Sequence, residues 1–241
     1  MTPLGPRDLE IRGALARIDL DAARRVPLLD AATMDRLGRC LDEAVEAGIR
    51  ALIISGGSSG TFAAGADLAE LSRLDPIEAF AFAKRGQDLF DRLERFPGAT
   101  IAIIRGRCIG GAFDLVMACD LRLASEEAIF SHPGPRLGFI TGYGGTSRLP
   151  LLAGPAARSV LLGIGEMDAA RALEVGLLAG VTGPAELEIE ARALAERIAG
   201  APPERLRLMK EVPRRLGGAS SARSLERRMA ALAMASEAKC G

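Results

Sequence analysis

Hydrophobic and polar positions change their period repeatedly along this chain, and each change marks an element. Residues 11–20 alternate loosely, which predicts a strand, and a charged turn follows at Arg24 and Arg25. Met34, Leu37, Leu41 and Val45 recur at helical spacing, so the next element is an amphipathic helix ending near Gly48. Residues 51–55 form a short apolar run closed by Gly56 and Gly57, the pattern of a strand buried on both faces. A second helix is predicted over 76–95, another buried strand over 100–105, and a helix over 110–118 entered through a tight glycine turn. Brief strands follow at 121–124 and 128–131. Residues 133–155 are dense in Gly and Pro and predict an ordered loop around a short helix, long enough to suggest a functional role. Beyond Gly183 the pattern turns helical, with Leu187, Ala191, Leu194 and Ile198 on one face and Leu225, Met229 and Leu232 on another. The class is therefore α/β, with a mixed core over residues 1–183 and a C-terminal helical extension over 184–241.

Composition narrows the partners. The 241 residues suffice to bury roughly 70% of the unfolded surface. Lys and Arg total 31 against 31 Asp and Glu, so there is no electrostatic footprint for nucleic acid or an anionic membrane. No apolar run of about 18 residues occurs and the N-terminus lacks an apolar core, which predicts a soluble, untargeted, cytoplasmic protein. Cys40, Cys108, Cys119 and Cys240 show no C-x-x-C pairing, and the chain has a single histidine, so no metal site is expected.

Candidate chemistry gathers at three strand-to-loop junctions: residues 55–68 (SGGSSGTFAAGADL), 105–118 (RGRCIGGAFDLVMA) and 130–146 (FSHPGPRLGFITGYGGT). Glycine at a strand's end lets a ligand approach the backbone, and backbone N–H groups at a helix entrance hold developing negative charge. Two such amides converging would form an oxyanion hole. Asp114 stands one helical turn beyond Gly111, so its carboxylate shares a face with that amide. An acid there also serves as a helix cap or a partner for the helix dipole. Asp67 and Glu70 open a helix in a D-x-x-E pattern, where capping is the expected role, and Asp120 reads as a structural hydrogen-bonding residue.

These residues resemble the crotonase superfamily, the enoyl-CoA hydratase/isomerase family. The resemblance runs through AGAD at 64–67, the GG turn at Gly110 and Gly111, ACDLRLAS at 118–125, YGGTSRLP at 143–150 and an A-x-x-x-G-L segment at 172–177. It covers residues 50–235 well and the N-terminal part loosely. It implies a ββα spiral with two roughly perpendicular sheets, C-terminal helices that assemble trimers or hexamers, and acyl-CoA chemistry of fatty acid metabolism. Coenzyme A enters as part of a thioester substrate, and no permanently bound cofactor is implied.

Carried over residue by residue, the resemblance makes the backbone N–H groups of Ala66 and Gly111 the oxyanion hole. Asp114 matches the first catalytic acid, where the family usually has glutamate, one methylene longer. Gly134 stands where hydratases carry a second catalytic glutamate, and His132 and Tyr143 are the nearby groups able to move a proton. Arg24 and Arg25 match a basic position near the CoA phosphates, Ala64 matches a backbone contact to the adenine, and Gly60 replaces a lysine beside the phosphates. The sequence stops where relatives continue into a final helix over the nucleotide, which predicts a more open CoA site. The leading reading is an enoyl-CoA hydratase/isomerase-type enzyme with Asp114 as acid/base. The alternatives are an acyl-CoA decarboxylase or related lyase using His132 or Tyr143, and a non-catalytic CoA-binding member.

Overall fold

A computed structural model describes residues 8–20, 26–56, 60–138 and 140–214. Arg24, Arg25 and the stripe of Leu225, Met229 and Leu232 lie outside the described residues.

The run over 11–20 is a hairpin rather than a single strand. Strand β1 (Glu10–Arg12) pairs antiparallel with β2 (Leu15–Asp19), with Arg12 opposite Leu15. Gly13 makes the turn at φ 63°, a left-handed conformation that glycine adopts without steric penalty. Helix α1 (Ala31–Glu46) starts at Asp30, whose carboxylate accepts from the Thr33 amide, and it buries Met34, Leu37, Cys40, Leu41 and Ala44. Val45 falls off that stripe and is exposed.

Strand β3 (Ala51–Ser55) leads through the short helix α2 (Leu68–Leu71) to α3 (Pro76–Glu94), which is fixed at its start by a capping box between Asp75 and Glu78. Asp67 caps α2 through the Ala69 amide. Next come β4 (Ala99–Ile104), β5 (Arg107–Ile109), α4 (Gly111–Met117), β6 (Leu121–Ser125) and β7 (Ile129–Ser131). The segment over 133–155, predicted as an ordered loop around a short helix, contains that helix and one further turn: a 3₁₀ turn at Gly134–Leu137 precedes α5 (Gly145–Ala153). Helix α6 (Ala157–Leu161), β8 (Met167–Asp168), α7 (Ala169–Glu174), β9 (Gly180–Thr182), α8 (Leu187–Ala199) and α9 (Pro203–Arg214) complete the described chain.

The strands form a six-stranded sheet, β1-β2-β3-β4-β6-β9, and a three-stranded sheet, β5-β7-β8. From β2 to β9 the larger sheet is parallel, and β3 and β4 are buried at every position. That burial explains their unbroken apolar runs, because both faces are covered. Leu52, Ile54, Ala102 and Ile104 face the main core with α1, α3 and α4, whereas Ala51, Ile53, Ile101 and Ile103 face the other side. There α8 lays down Leu187, Ala191, Ala195 and Ala199, four apart in sequence and all buried. Leu194 and Ile198 flank that row, partly buried. Asp120 accepts from the amide and hydroxyl of Thr100, and Lys210 of α9 reaches Asp120 and the carbonyls of Phe96 and Gly98.

Candidate active site

Parallel pairing brings the C-terminal ends of β3 and β4 together, so the loops that leave them run side by side. The loop after β3 is tied to β5, since the Ile109 amide donates to Ala63 O at 3.1 Å and the Phe62 amide to Arg107 O at 2.9 Å. On its other flank the Ala64 amide donates to Pro27 O and the Leu29 amide to Gly65 O. The glycine turn after β5 is held by β7 through Gly110 N–H to Ser131 O at 2.9 Å. Gly110 takes φ 58° and ψ −124°, and Gly65 takes φ 82°, backbone states that favour glycine. The two turns are in contact: a Cβ on Gly65 would lie 2.8 Å from Gly111 N, and one on Gly111 would lie 3.8 Å from Ala66 N. Among the described residues, neither the Ala66 nor the Gly111 amide donates a backbone hydrogen bond. Both residues are partly exposed.

Asp114 follows on α4, fully buried. It makes no capping bond to the helix, so the capping role is not the one the geometry supports. Its Oδ2 accepts from the Thr141 hydroxyl, and its Oδ1 lies 3.1 Å from His132 Nε2. The facing Oδ1 and Nε2 atoms are buried and otherwise without a hydrogen-bond partner. The imidazole is stacked on Phe113, with ring centroids 5.2 Å apart, which fixes its plane. Gly145, the first residue of α5, leaves room for this group. A Cβ there would overlap Asp114 Oδ1 and stand 3.0 Å from both His132 Nε2 and Thr141 Oγ1.

Tyr143 fills the space between α3 and α4. A Cβ on Gly111 would lie 2.8 Å from its Cδ2, and one on Gly86 would overlap the opposite edge of the ring. Phe82 and Phe90 flank the ring at 5.6 and 5.5 Å between centroids. Burial pushes the phenol pKa up, reinforced by the charges of Glu70 and Asp114, so the hydroxyl stays protonated well into the alkaline range.

Two loops with convergent amides beside a buried carboxylate match a known family along nearly the whole chain: residues 10–237 match the enoyl-CoA hydratase/isomerase model. The chain belongs to the enoyl-CoA hydratase/isomerase family. It is 39% identical over 188 residues to a Bacillus subtilis protein described as a probable enoyl-CoA hydratase, covering 76% of this chain and 72% of that one. It is 31% identical over 205 residues to the short-chain-enoyl-CoA hydratase of Clostridium acetobutylicum, covering 84% and 78%. The crystal structure of enoyl-CoA hydratase from Bacillus anthracis superposes with a TM-score of 0.86 at 29% identity, over 92% of this chain and 88% of that one. The architecture is the crotonase fold, and the protein is an enzyme of the enoyl-CoA hydratase/isomerase type.

In this family member the structure brings Ala66, Gly111, Asp114, His132 and Tyr143 into one neighbourhood, with Ala64 at its edge, while Arg24 and Arg25 lie outside the described residues. Gly134 is buried at the start of the 3₁₀ turn. Sequence reasoning missed Thr141, which binds Asp114, and the room that Gly145 leaves beside it. A hydroxyl immediately before a G-Y-G-G run was the available signal. Among the described residues no group of three or more His, Cys, Asp and Glu side chains could hold a metal ion, and no helix is long and apolar enough to cross a membrane.

Proposed function

We propose that the enzyme takes an acyl-CoA thioester, holds its carbonyl oxygen on the N–H groups of Ala66 and Gly111, and moves a proton with Asp114 supported by His132. The observation that carries this reading is the placement of two unengaged, converging amides beside a buried carboxylate–imidazole pair. As a proton leaves the α-carbon, or as a nucleophile adds at the β-carbon, negative charge builds on the thioester oxygen. The two N–H groups stabilise that charge without reorganising, and losing one such donor typically lowers kcat about 10²–10³-fold. Thr141 holds Asp114 Oδ2, which leaves Oδ1 facing the imidazole and the reacting carbons. Hydration needs one group to activate water and another to deliver a proton. Gly134 has no side chain for either task, and the Asp114–His132 pair takes both. Isomerisation needs one group to remove a proton and return it elsewhere, which Asp114 alone performs. CoA enters over the 64–66 loop, with the Ala64 backbone as the adenine contact, and Arg24 and Arg25 match the family's basic position for the phosphates.

The lyase reading is favoured by one observation, the buried ring of Tyr143 against Gly111, since a phenol can donate a proton. Loss of CO₂ from a malonyl-type thioester produces the same enolate and needs a single proton donor. Assays of crotonyl-CoA hydration, 3-enoyl-CoA isomerisation and malonyl-CoA decarboxylation separate the readings. Asp114→Asn should lower kcat at least about 100-fold with thioester binding kept. Normal turnover by that variant, with His132→Gln or Tyr143→Phe inactive, would replace the hydratase/isomerase assignment by the lyase one. We also propose a homotrimer or homohexamer, supported by Leu151, Leu162 and Ile164, which stay exposed on the described surface. A monomer mass by light scattering at micromolar concentration would count against it.

A further inference from the structure

Resting on the assignment of Ala66 and Gly111 as the thioester-oxygen site, the ring of Tyr143 stands next to that site, packed against Gly111. A carbonyl oxygen seated on the two amides places the α and β carbons beside Asp114, and the next group against Gly111 is the tyrosine ring. Its opposite edge abuts the backbone of Gly86 on α3, with Phe82 and Phe90 on its flanks. The ring is 4% exposed, so it is a wall rather than a side chain at the mouth.

The backbone that carries it is held to α3 on both sides. Gln87 Nε2 donates to Gly142 O at 2.7 Å, and Arg148 Nη1 donates to Tyr143 O at 3.0 Å. Arg148 is itself anchored to α3 through Asp91 at 2.6 Å and Glu94 at 3.1 Å. With no Cβ at Gly86 or Gly111, the ring packs directly between two backbones, and movement in either direction meets main chain.

We propose that Tyr143 sets the acyl length of the substrate, closing the acyl site a few atoms beyond the reacting carbons so that the enzyme takes short thioesters of about four carbons. Arg148 and Gln87 act as positioning residues for it.

Calorimetric titration of the full chain with the unreactive saturated thioesters butyryl-, hexanoyl- and octanoyl-CoA tests this without depending on turnover. An open apolar site would gain about fourfold in affinity per methylene. The wild type should instead bind octanoyl-CoA no more tightly than butyryl-CoA. Tyr143→Ala and Tyr143→Leu should raise the octanoyl-to-butyryl affinity ratio at least about tenfold, whereas Tyr143→Phe, which keeps the ring, should leave it unchanged. The Leu variant covers the case in which Ala does not fold. A wild-type affinity that climbs steadily to octanoyl-CoA overturns the proposal, as does a ratio that is the same in all the variants. Gly65→Ala separates this from the oxyanion reading: unchanged affinity for every thioester in that variant sinks the Ala66–Gly111 assignment, while the length ratio still decides Tyr143. Failure of the wild type to bind any of the three thioesters overturns both.

Discussion

His132 Nε2 stands 3.1 Å from Asp114 Oδ1, and both atoms are shut away from solvent. The contact joins the residue that follows β7 to the first turn of α4, two elements from different parts of the spiral. The contact needs the space on the α5 side to stay open, where Gly145 supplies no side chain.

Gly145→Ala should therefore disable the site without unfolding the protein. Gly145 does not have the positive φ that would strain alanine, yet the added methyl would overlap Asp114 Oδ1. We expect kcat to fall at least about 100-fold, the size of a lost acid/base contribution, with the melting temperature nearly unchanged. Steady-state kinetics on crotonyl-CoA alongside calorimetric melting checks this, and full activity would mean that the Asp114–His132 spacing is irrelevant to turnover.

Gly65→Ala attacks the other half of the site. Its φ of 82° is unfavourable for alanine, and the new Cβ would press on Gly111 N and Ile109 O, each 2.8 Å away. The Ala66 and Gly111 amides should be pushed apart, with kcat/KM falling about 10²–10³-fold. A crystal structure of the variant would show the spread of the two turns, and unaltered kinetics would contradict the oxyanion assignment.

Arg122 is a stability prediction. Its buried guanidinium donates to the carbonyls of Leu177 and Cys119, both at 2.6 Å, and to those of Val116 and Asp120 at 3.3 and 3.4 Å. Burial lowers its pKa, partly offset by Cys119 and Asp120. Arg122→Met would strand these acceptors, at a cost of about 3 kcal/mol or roughly 6–12 °C in Tm. Lysine has no planar fork to span several carbonyls and should recover only part of the loss. Differential scanning calorimetry of the three proteins tests the order.

Tyr143 should make the fold sensitive to alkali. Desolvation first, then Glu70 and Asp114, raise its pKa in the folded state. The unfolded chain therefore ionises this phenol first, so stability is full below the ordinary tyrosine value near 10 and declines as pH rises from there toward the folded value. Tyr143→Phe removes that component. The melting temperature of the wild type should fall more than that of the variant between about pH 9 and 11; parallel curves would show that the phenol is not buried in solution.

Much of this architecture was legible in the chain because it is local. The apolar runs of β3 and β4 announce strands covered on both faces, the stripe of Met34, Leu37 and Leu41 announces α1, and the Gly110–Gly111 turn announces the entrance to α4. Each follows from which face a segment must bury. The hairpin at Gly13 and the bounds of the short helix within 133–155 were not legible, because a single turn glycine breaks no periodicity and a Gly/Pro-rich composition hides where a helix begins and ends. The sequence by itself also determined which groups were available to the site: two glycine turns, one acid, one imidazole and one phenol. Only the tertiary structure decided that Thr141 and His132 share the carboxylate of Asp114, that Gly145 makes room for them, and that the ring of Tyr143 lies between Gly86 and Gly111. Those contacts join segments far apart in the chain, and their distances are set by sheet order and close packing, to which the periodicity of any one segment is blind.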